Sequence, residues 1–420
     1  MTLTLVPPLS VLPAPVRPDP LGVLGVPGEI NLDHAASAPC ARAAADAVAG
    51  LLPWYASVHR GAGALSRRCT LAYEWARQTV GDFLGARPDD HVIFTRNTTD
   101  ALNLLARALP AGTTVITFGG EHHANLLPWP RGSVRLPVPD SPAGAVRSLA
   151  AALGELARDA RPGLPVLVAV TGAGNVTGEC LPVADLARVA HRYGARILVD
   201  AAQLAPHALV DLTALDVDYV AVSGHKLYAP FGAGVLAGRA DWLDAGTPYL
   251  AGGGATSHVG AATHDVRWTT GPARHEAGTP NLLGAVALAA VCEALRAADR
   301  DALHAREQAL LARLRTGLAT LPDVVELRMF SPEAPRVGIV SFVVAGRDSA
   351  EVAAHLASRH RIGVRDGLFC AHPLTRRLLA EAAARTGRTD LPPTALRASL
   401  GLGTTEAEVD TLLAALTTLP

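Results

Sequence analysis

The chain has 420 residues, 49% of them hydrophobic and 18% charged, with a formal net charge of -1. That length suits one or two domains with a large buried core, and the balanced charge gives no reason to invoke nucleic acid or an anionic membrane as a partner. The five cysteines, Cys40, Cys69, Cys180, Cys292 and Cys370, contain no C-x-x-C pair. They argue against a disulfide framework or a zinc site and for a reducing, cytoplasmic setting.

Residues 1–28 are rich in proline and aperiodic, and read as an extended arm. The first twenty, MTLTLVPPLSVLPAPVRPDP, lack a basic n-region and make a poor signal peptide. No apolar run free of breakers is long enough to span a bilayer. From Asp33 onward, helical and strand periods alternate. Ala64 to Phe83 has helical spacing. HVIFT (91–95), TTVITF (113–118), LPVLVAV (164–170), ARILV (195–199) and DYVAV (218–222) are short runs rich in β-branched residues. Helical patterns lie between several of them, as at Val183 to Tyr193. Apolar strands alternating with helices predict βαβ units and a parallel sheet covered on both faces. Ala285–Ala298 and Ala302–Leu318 predict long helices. After them come a strand at Ile339–Val344, a helix, a strand, a loop and a final helix at Glu406–Leu416. The expected organisation is an arm at 1–28, a large domain at 29–285 and a smaller α/β domain at 286–420.

One residue type is nearly absent. Lys226, in SGHKLYAPFG, is the only lysine, and the remaining 36 basic residues are arginine. An arginine-rich composition replaces lysine wherever only a positive charge is wanted. Arginine stays protonated, whereas lysine can lose its proton and form a Schiff base, so the surviving lysine reads as chemical. Open α/β sheets bind ligands beyond the carboxyl ends of their strands. Polar residues follow the predicted strands there: Thr98 and Thr99 after HVIFT, Glu121, His122 and His123 after TTVITF, and Asn175 after LPVLVAV. Asp200 and Gln203 end or follow ARILVD, and Ser223, His225 and Lys226 follow DYVAV. These types suit pyridoxal phosphate: an amine for the aldehyde, a carboxylate for the pyridine nitrogen, hydroxyls and helix N–H groups for the phosphate, and an imidazole for the ring face. Singly, each has a plainer role. Asp200 can cap a helix, Asn175 can sit in a turn, and the histidines can be surface residues.

The chain resembles the class V aminotransferase family of fold type I pyridoxal-phosphate enzymes, most of all its SufS-type cysteine desulfurase and selenocysteine lyase branch. The similar stretches, in family order, are NLDHAAS (31–37), SVHRGAGALS (57–66), EHHANLLPW (121–129), ILVDAAQ (197–203), SGHKLYAPFGAGVL (223–236), RHEAGTPN (274–281), VRDGLFCAHPL (364–374) and ALRASLGLGTTEAEVD (395–410). The resemblance implies an α/β fold with a mainly parallel seven-stranded sheet in the large domain. It implies that Lys226 carries the cofactor, Asp200 meets the pyridine nitrogen, and His122 stacks on the ring. Asn175 and Gln203 would face the phenolic oxygen, and Thr98, Thr99, Ser223 and His225 the phosphate. Thr279 would reach the phosphate of a second subunit, making a homodimer with shared sites. Arg397, with Arg365, would hold the substrate carboxylate, a planar fork suiting that group.

The resemblance further implies that the Cys370 thiolate takes sulfur from L-cysteine or a related amino acid, releasing alanine, and hands it to an acceptor protein. The chain departs from the family pattern in two places. Leu368 and Phe369 stand where two histidines usually precede the cysteine, and His34 stands where the opening motif has asparagine. Two alternatives stay open at this point. One is another class V enzyme (C–S lyase, selenocysteine lyase, aminotransferase or epimerase) in which Cys370 is incidental. The other is a non-catalytic partner subunit of the same fold. No metal, nucleic acid or membrane is expected as a partner.

Overall fold

A computed structural model describes residues 19–159, 164–262 and 264–419. Most of the expected arm lies outside these residues. Its described end runs past Cys40 and Ala41, with Val23 bridged to Ala41 and the Leu24 N–H donating to the Cys40 carbonyl.

The large sheet has seven strands: β1 (Asp90–Thr95), β2 (Thr114–Phe118), β3 (Val134–Leu136), β4 (Val166–Thr171), β5 (Arg196–Asp200), β6 (Tyr219–Ser223) and β7 (Gly234–Arg239). Their spatial order is β1-β7-β6-β5-β4-β2-β3. β7 runs antiparallel to both neighbours, and the other adjacent pairs are parallel. The mainly parallel sheet expected from the apolar runs is therefore present. Side-chain alternation sends Val168 and Val170 to one face and Leu167 and Ala169 to the other, each into a buried apolar cluster. Helices Ala64–Phe83 and Leu282–Ala297 pack on the first face and Thr98–Ala108 on the second. Parallel strands aligned this way bring the carboxyl ends of β1, β2, β4, β5 and β6 to one edge.

β7 and β3 escape the sequence reading because GVLAGR carries two glycines and VRL is short. One of those glycines is required by space: a Cβ on Gly234 would lie 2.5 Å from the Asn97 Cα. Asn97 caps the Thr98–Ala108 helix by accepting the Asp100 N–H, so Gly234 lets the helix start seat against the sheet.

A second sheet holds β8 (Val324–Leu327), β9 (Ile339–Val344), β10 (Arg365–Gly367) and β11 (Ala395–Ser399), antiparallel in the order β8-β9-β11-β10. The boundary expected at 285/286 falls inside the continuous helix Leu282–Ala297, which packs on the large-sheet core. Leu32, expected in the large domain, joins the small-sheet core with Leu310 and Phe342. The segment around it is stitched to β11: the Ser399 N–H donates to the Leu32 carbonyl at 2.7 Å, and the Ala35 N–H donates to the Ser399 hydroxyl at 2.9 Å. The stretch after Cys370, expected as a loop, is the helix His372–Thr386. Pro373 reads as a breaker in sequence, but proline is well placed in the first turn of a helix, where its missing N–H has no partner to lose. Among the described residues no helix is long and apolar enough to cross a membrane.

Candidate active site

The edge formed by the strand ends opens into a cavity of about 520 Å³ between the two sheets. Thr98, Thr99, His122, Asn175, Asp200, Gln203, Ser223, His225, Lys226, Arg365, Cys370 and Arg397 all line it. Every site residue expected from sequence is thus gathered in one place except Thr279. Thr279 lies in a separate cavity of about 390 Å³ with Tyr249 and Glu276.

Lys226 sits in the turn after β6. Burial, with a smaller push from Arg397, lowers its ammonium pKa to about 8 against the opposing charges of Asp200 and Cys370. The free amine that a nucleophilic lysine needs is then a minor but much enlarged fraction near neutral pH. Asp200 ends β5 and is buried. Burial raises its carboxyl pKa, against a hydrogen bond from the Ala202 N–H at 3.0 Å and the charge of Lys226. A buried carboxyl in this position fits a pyridinium N–H, whose positive charge would restore the ionised form. Burial, then Lys226, lowers the His122 pKa to about 4, so its imidazole is neutral. Its Nδ1 accepts from the Ala124 N–H at 3.1 Å, which leaves a flat ring free to stack.

At the start of the Thr98–Ala108 helix, the Ser223 hydroxyl accepts the Thr98 N–H at 2.8 Å and lies 2.9 Å from the Thr98 hydroxyl. Two hydroxyls at a helix N-terminus fit a phosphate. His225 lies 3.3 Å from the Ser37 hydroxyl, and burial lowers its pKa. The donor set therefore fits pyridoxal phosphate.

Two amides are busier than the sequence suggests. Asn175 Nδ2 donates to the Phe369 carbonyl at 2.7 Å, and Gln203 Nε2 donates to the Ala35 carbonyl at 2.8 Å. Each also positions a loop, and each has one further N–H. Arg397 is 3% exposed on β11. It donates to the Asn175 carbonyl and to Asp33 Oδ1, both at 3.0 Å, and its Nε has no hydrogen-bond partner. Burial lowers its pKa ahead of the opposing effect of Asp33. Asp33 is a residue the sequence reading missed, although it lies inside NLDHAAS. Nothing in a local pattern indicates a partner 364 positions away. His34, the neighbouring departure, meets Tyr228 edge-on behind the lysine turn.

Glu121 has a supporting place. It is 1% exposed and accepts from Asn125 Nδ2 at 2.9 Å and from the Thr171 N–H at 3.1 Å, holding the start of the His122 loop against the end of β4. Burial pushes its carboxyl up to about 8. Between the ordinary carboxylate value of 4.5 and about 8, the folded chain holds a proton that the unfolded chain has lost. This group therefore lowers stability as pH rises through that window, by up to about 1.4 kcal/mol per pH unit. Glu121→Gln removes the ionisation while keeping the shape. Melting temperature followed across the window should fall less steeply for the variant than for wild type. Parallel curves count against a neutral Glu121.

The comparisons agree with this architecture. A family profile, Aminotransferase class-V, matches residues 30–412. A cysteine desulfurase of Dickeya dadantii (strain 3937) is 37% identical over 398 residues, covering 92% of this chain and 90% of its own. One of Cronobacter sakazakii (strain ATCC BAA-894) is 35% identical, covering 92% of each. Among solved structures, the cysteine desulfurase CsdA of Escherichia coli superposes with a TM-score of 0.76 at 32% identity, over 93% of this chain and 94% of that one. Apo cysteine desulfurase from Thermococcus onnurineus NA1 gives 0.79 at 32%, over 92% and 94%. Matched along nearly its whole described length, the chain belongs to the class-V aminotransferase family of pyridoxal-phosphate enzymes.

Proposed function

We propose that the protein is a cysteine desulfurase, converting L-cysteine to L-alanine and taking the sulfur onto Cys370 as a persulfide for an acceptor protein. The observation that carries this reading is the placing of Cys370. It is the exposed one among the free cysteines, and it lines the same cavity as Lys226 and Arg397. Cys69 and Cys292 are buried in the core, where a thiol is filler. Relatives along the whole chain that carry the name cysteine desulfurase support the same choice over an aminotransferase or an epimerase.

Pyridoxal phosphate, when bound, supplies the electron sink that stabilises negative charge at the substrate α-carbon. The chain's own groups do the rest. Lys226 would hold the cofactor and is the amine placed to move a proton at the substrate α-carbon. Asp200 keeps the pyridine nitrogen charged, and His122 covers one ring face. Thr98, Thr99, Ser223 and His225 hold the phosphate. Arg397 and Arg365 orient the substrate carboxylate, which turns the thiol group of cysteine toward Cys370. The enzyme acts as a cytoplasmic homodimer, in which Thr279 lies at the interface and reaches the partner's cavity. Leu52, Trp54, Tyr55, Leu65 and Leu71 are exposed apolar side chains that an interface would cover.

Alanine and sulfide release from L-cysteine in the presence of a reductant tests the proposal. Equimolar release, absent without reductant after one turnover, is the expected result. Sulfide with pyruvate and no alanine would make the protein a C–S lyase.

A further inference from the structure

The turn that carries Cys370 is held from several sides. Asn175 Nδ2 donates to the Phe369 carbonyl at 2.7 Å, the Thr375 hydroxyl to the Leu368 carbonyl at 3.2 Å, and the His123 N–H to the Cys370 carbonyl at 2.8 Å. Phe369 and Cys370 have φ of 53° and 51°. Consecutive positive φ in residues with side chains persists only where the surroundings enforce it. His123 also takes the next N–H. Its Nε2 accepts from the His372 amide at 3.4 Å, and the two imidazoles meet edge to face with centroids 4.5 Å apart.

A sulfur-accepting cysteine must lose its proton before it attacks, and free thiols ordinarily titrate near 8.5. Few groups that could take the proton line the cavity with it. Arg365 and Arg397 line the cavity and accept no proton. Lys226 is committed to the cofactor, and Asp200 to its ring nitrogen. His122 uses its Nδ1 lone pair on Ala124, and His225 is turned to Ser37. His123 has its Nε2 lone pair occupied by the His372 amide, and its basicity is lowered by burial, then by His372 and Arg135. Asp366 and His372 remain on the cavity wall. A carboxylate is a weak base for a thiol, and an imidazole is the stronger of the two.

We propose that His372 is the base that takes the Cys370 Sγ proton, and that His123 is the positioning residue that holds it beside the thiol. The proposal deepens the desulfurase reading and rests on it for its purpose. In the step, the Cys370 S–H bond breaks, the proton passes to a ring nitrogen of His372, and the electron pair stays on sulfur. That pair forms the S–S bond to the substrate sulfur as the substrate C–S bond breaks and its pair returns to carbon.

Alkylation of Cys370 by iodoacetamide tests this in the holoenzyme without substrate, read by peptide mass spectrometry from about pH 5.5 to 9.5. Wild type should show a rise in rate in the imidazole range. His372→Gln should lose it, slowing roughly tenfold at about pH 6.5 with no change at about pH 9.5. His123→Ala should weaken the same rise, and His123→Gln, whose side-chain carbonyl can accept the His372 N–H, should restore it. Identical profiles for wild type and His372→Gln overturn the base. An equal loss at every pH also overturns it, because that marks a displaced turn. Failure of His123→Gln to restore the rise overturns the positioning role. The two readings fail separately: alanine release by wild type with superimposable profiles removes only the base, and a neutral-range rise without alanine release removes only the desulfurase.

Discussion

Cys370→Ala should abolish alanine formation from L-cysteine, with a loss on the order of 10³ or more, as expected when a nucleophile is deleted. Lys226, Asp200, His122 and Arg397 remain in place in that variant, so cofactor absorbance and its response to added cysteine should persist. The loss should therefore appear in turnover and not in binding. The protein should also stay folded, since an exposed side chain is removed from a turn whose carbonyls are held by Asn175, Thr375 and His123. Selenocysteine should be spared in part, because selenium leaves carbon more readily without help. Alanine rates from L-cysteine for wild type and variant, measured with a reductant, decide the matter. Equal rates would leave Cys370 as packing and move the protein to another class V reaction.

Asp200→Asn should cost turnover on the order of 10² to 10³, the range for loss of one preorganised electrostatic partner. The wild-type carboxyl is buried, and burial alone favours its neutral form. Only a positive partner makes the ionised form stable there, and under the proposed function that partner would be the pyridinium nitrogen. Asparagine keeps the shape and can still accept the Ala202 N–H, but it carries no charge to hold the ring proton. The variant should retain its cofactor through Lys226 and the Thr98–Ser223 phosphate cradle, with a shifted absorbance band. Undiminished alanine release would remove Asp200 from this role.

Much of the fold was legible because it depends on local pattern. Helix Ala64–Phe83 and strand Ile339–Val344 follow from apolar period alone and are observed at those bounds. β7 was not legible, since Gly234, which allows the close approach to Asn97, and Gly238, which lies against Asp218 and Tyr219, weaken its strand signal. The helix after Cys370 was hidden by a proline that marks its first turn. Which core a helix covers is not written in its period, and Leu282–Ala297, which spans the expected boundary, packs on the large one.

The sequence by itself determined the chemistry on offer. One lysine among arginines, an aspartate closing one strand, hydroxyls after two others and a cysteine in RDGLFCA are properties of residue type and order. Parallel βαβ alternation then dictates that these strand-end residues share one edge, because each crossover returns the chain in the same direction. Tertiary structure alone decided the pairings between distant segments. Arg397 meets Asp33 364 positions away and Asn175 222 positions away, and His372 meets His123 across 249. It also set the positive φ of Phe369 and Cys370 and the burial that moves Lys226, Asp200 and Glu121 from their ordinary titration. Residue type fixes what a group can do, whereas its charge state and its partners depend on dielectric and distance, and these exist only once both sheets have packed around the cavity.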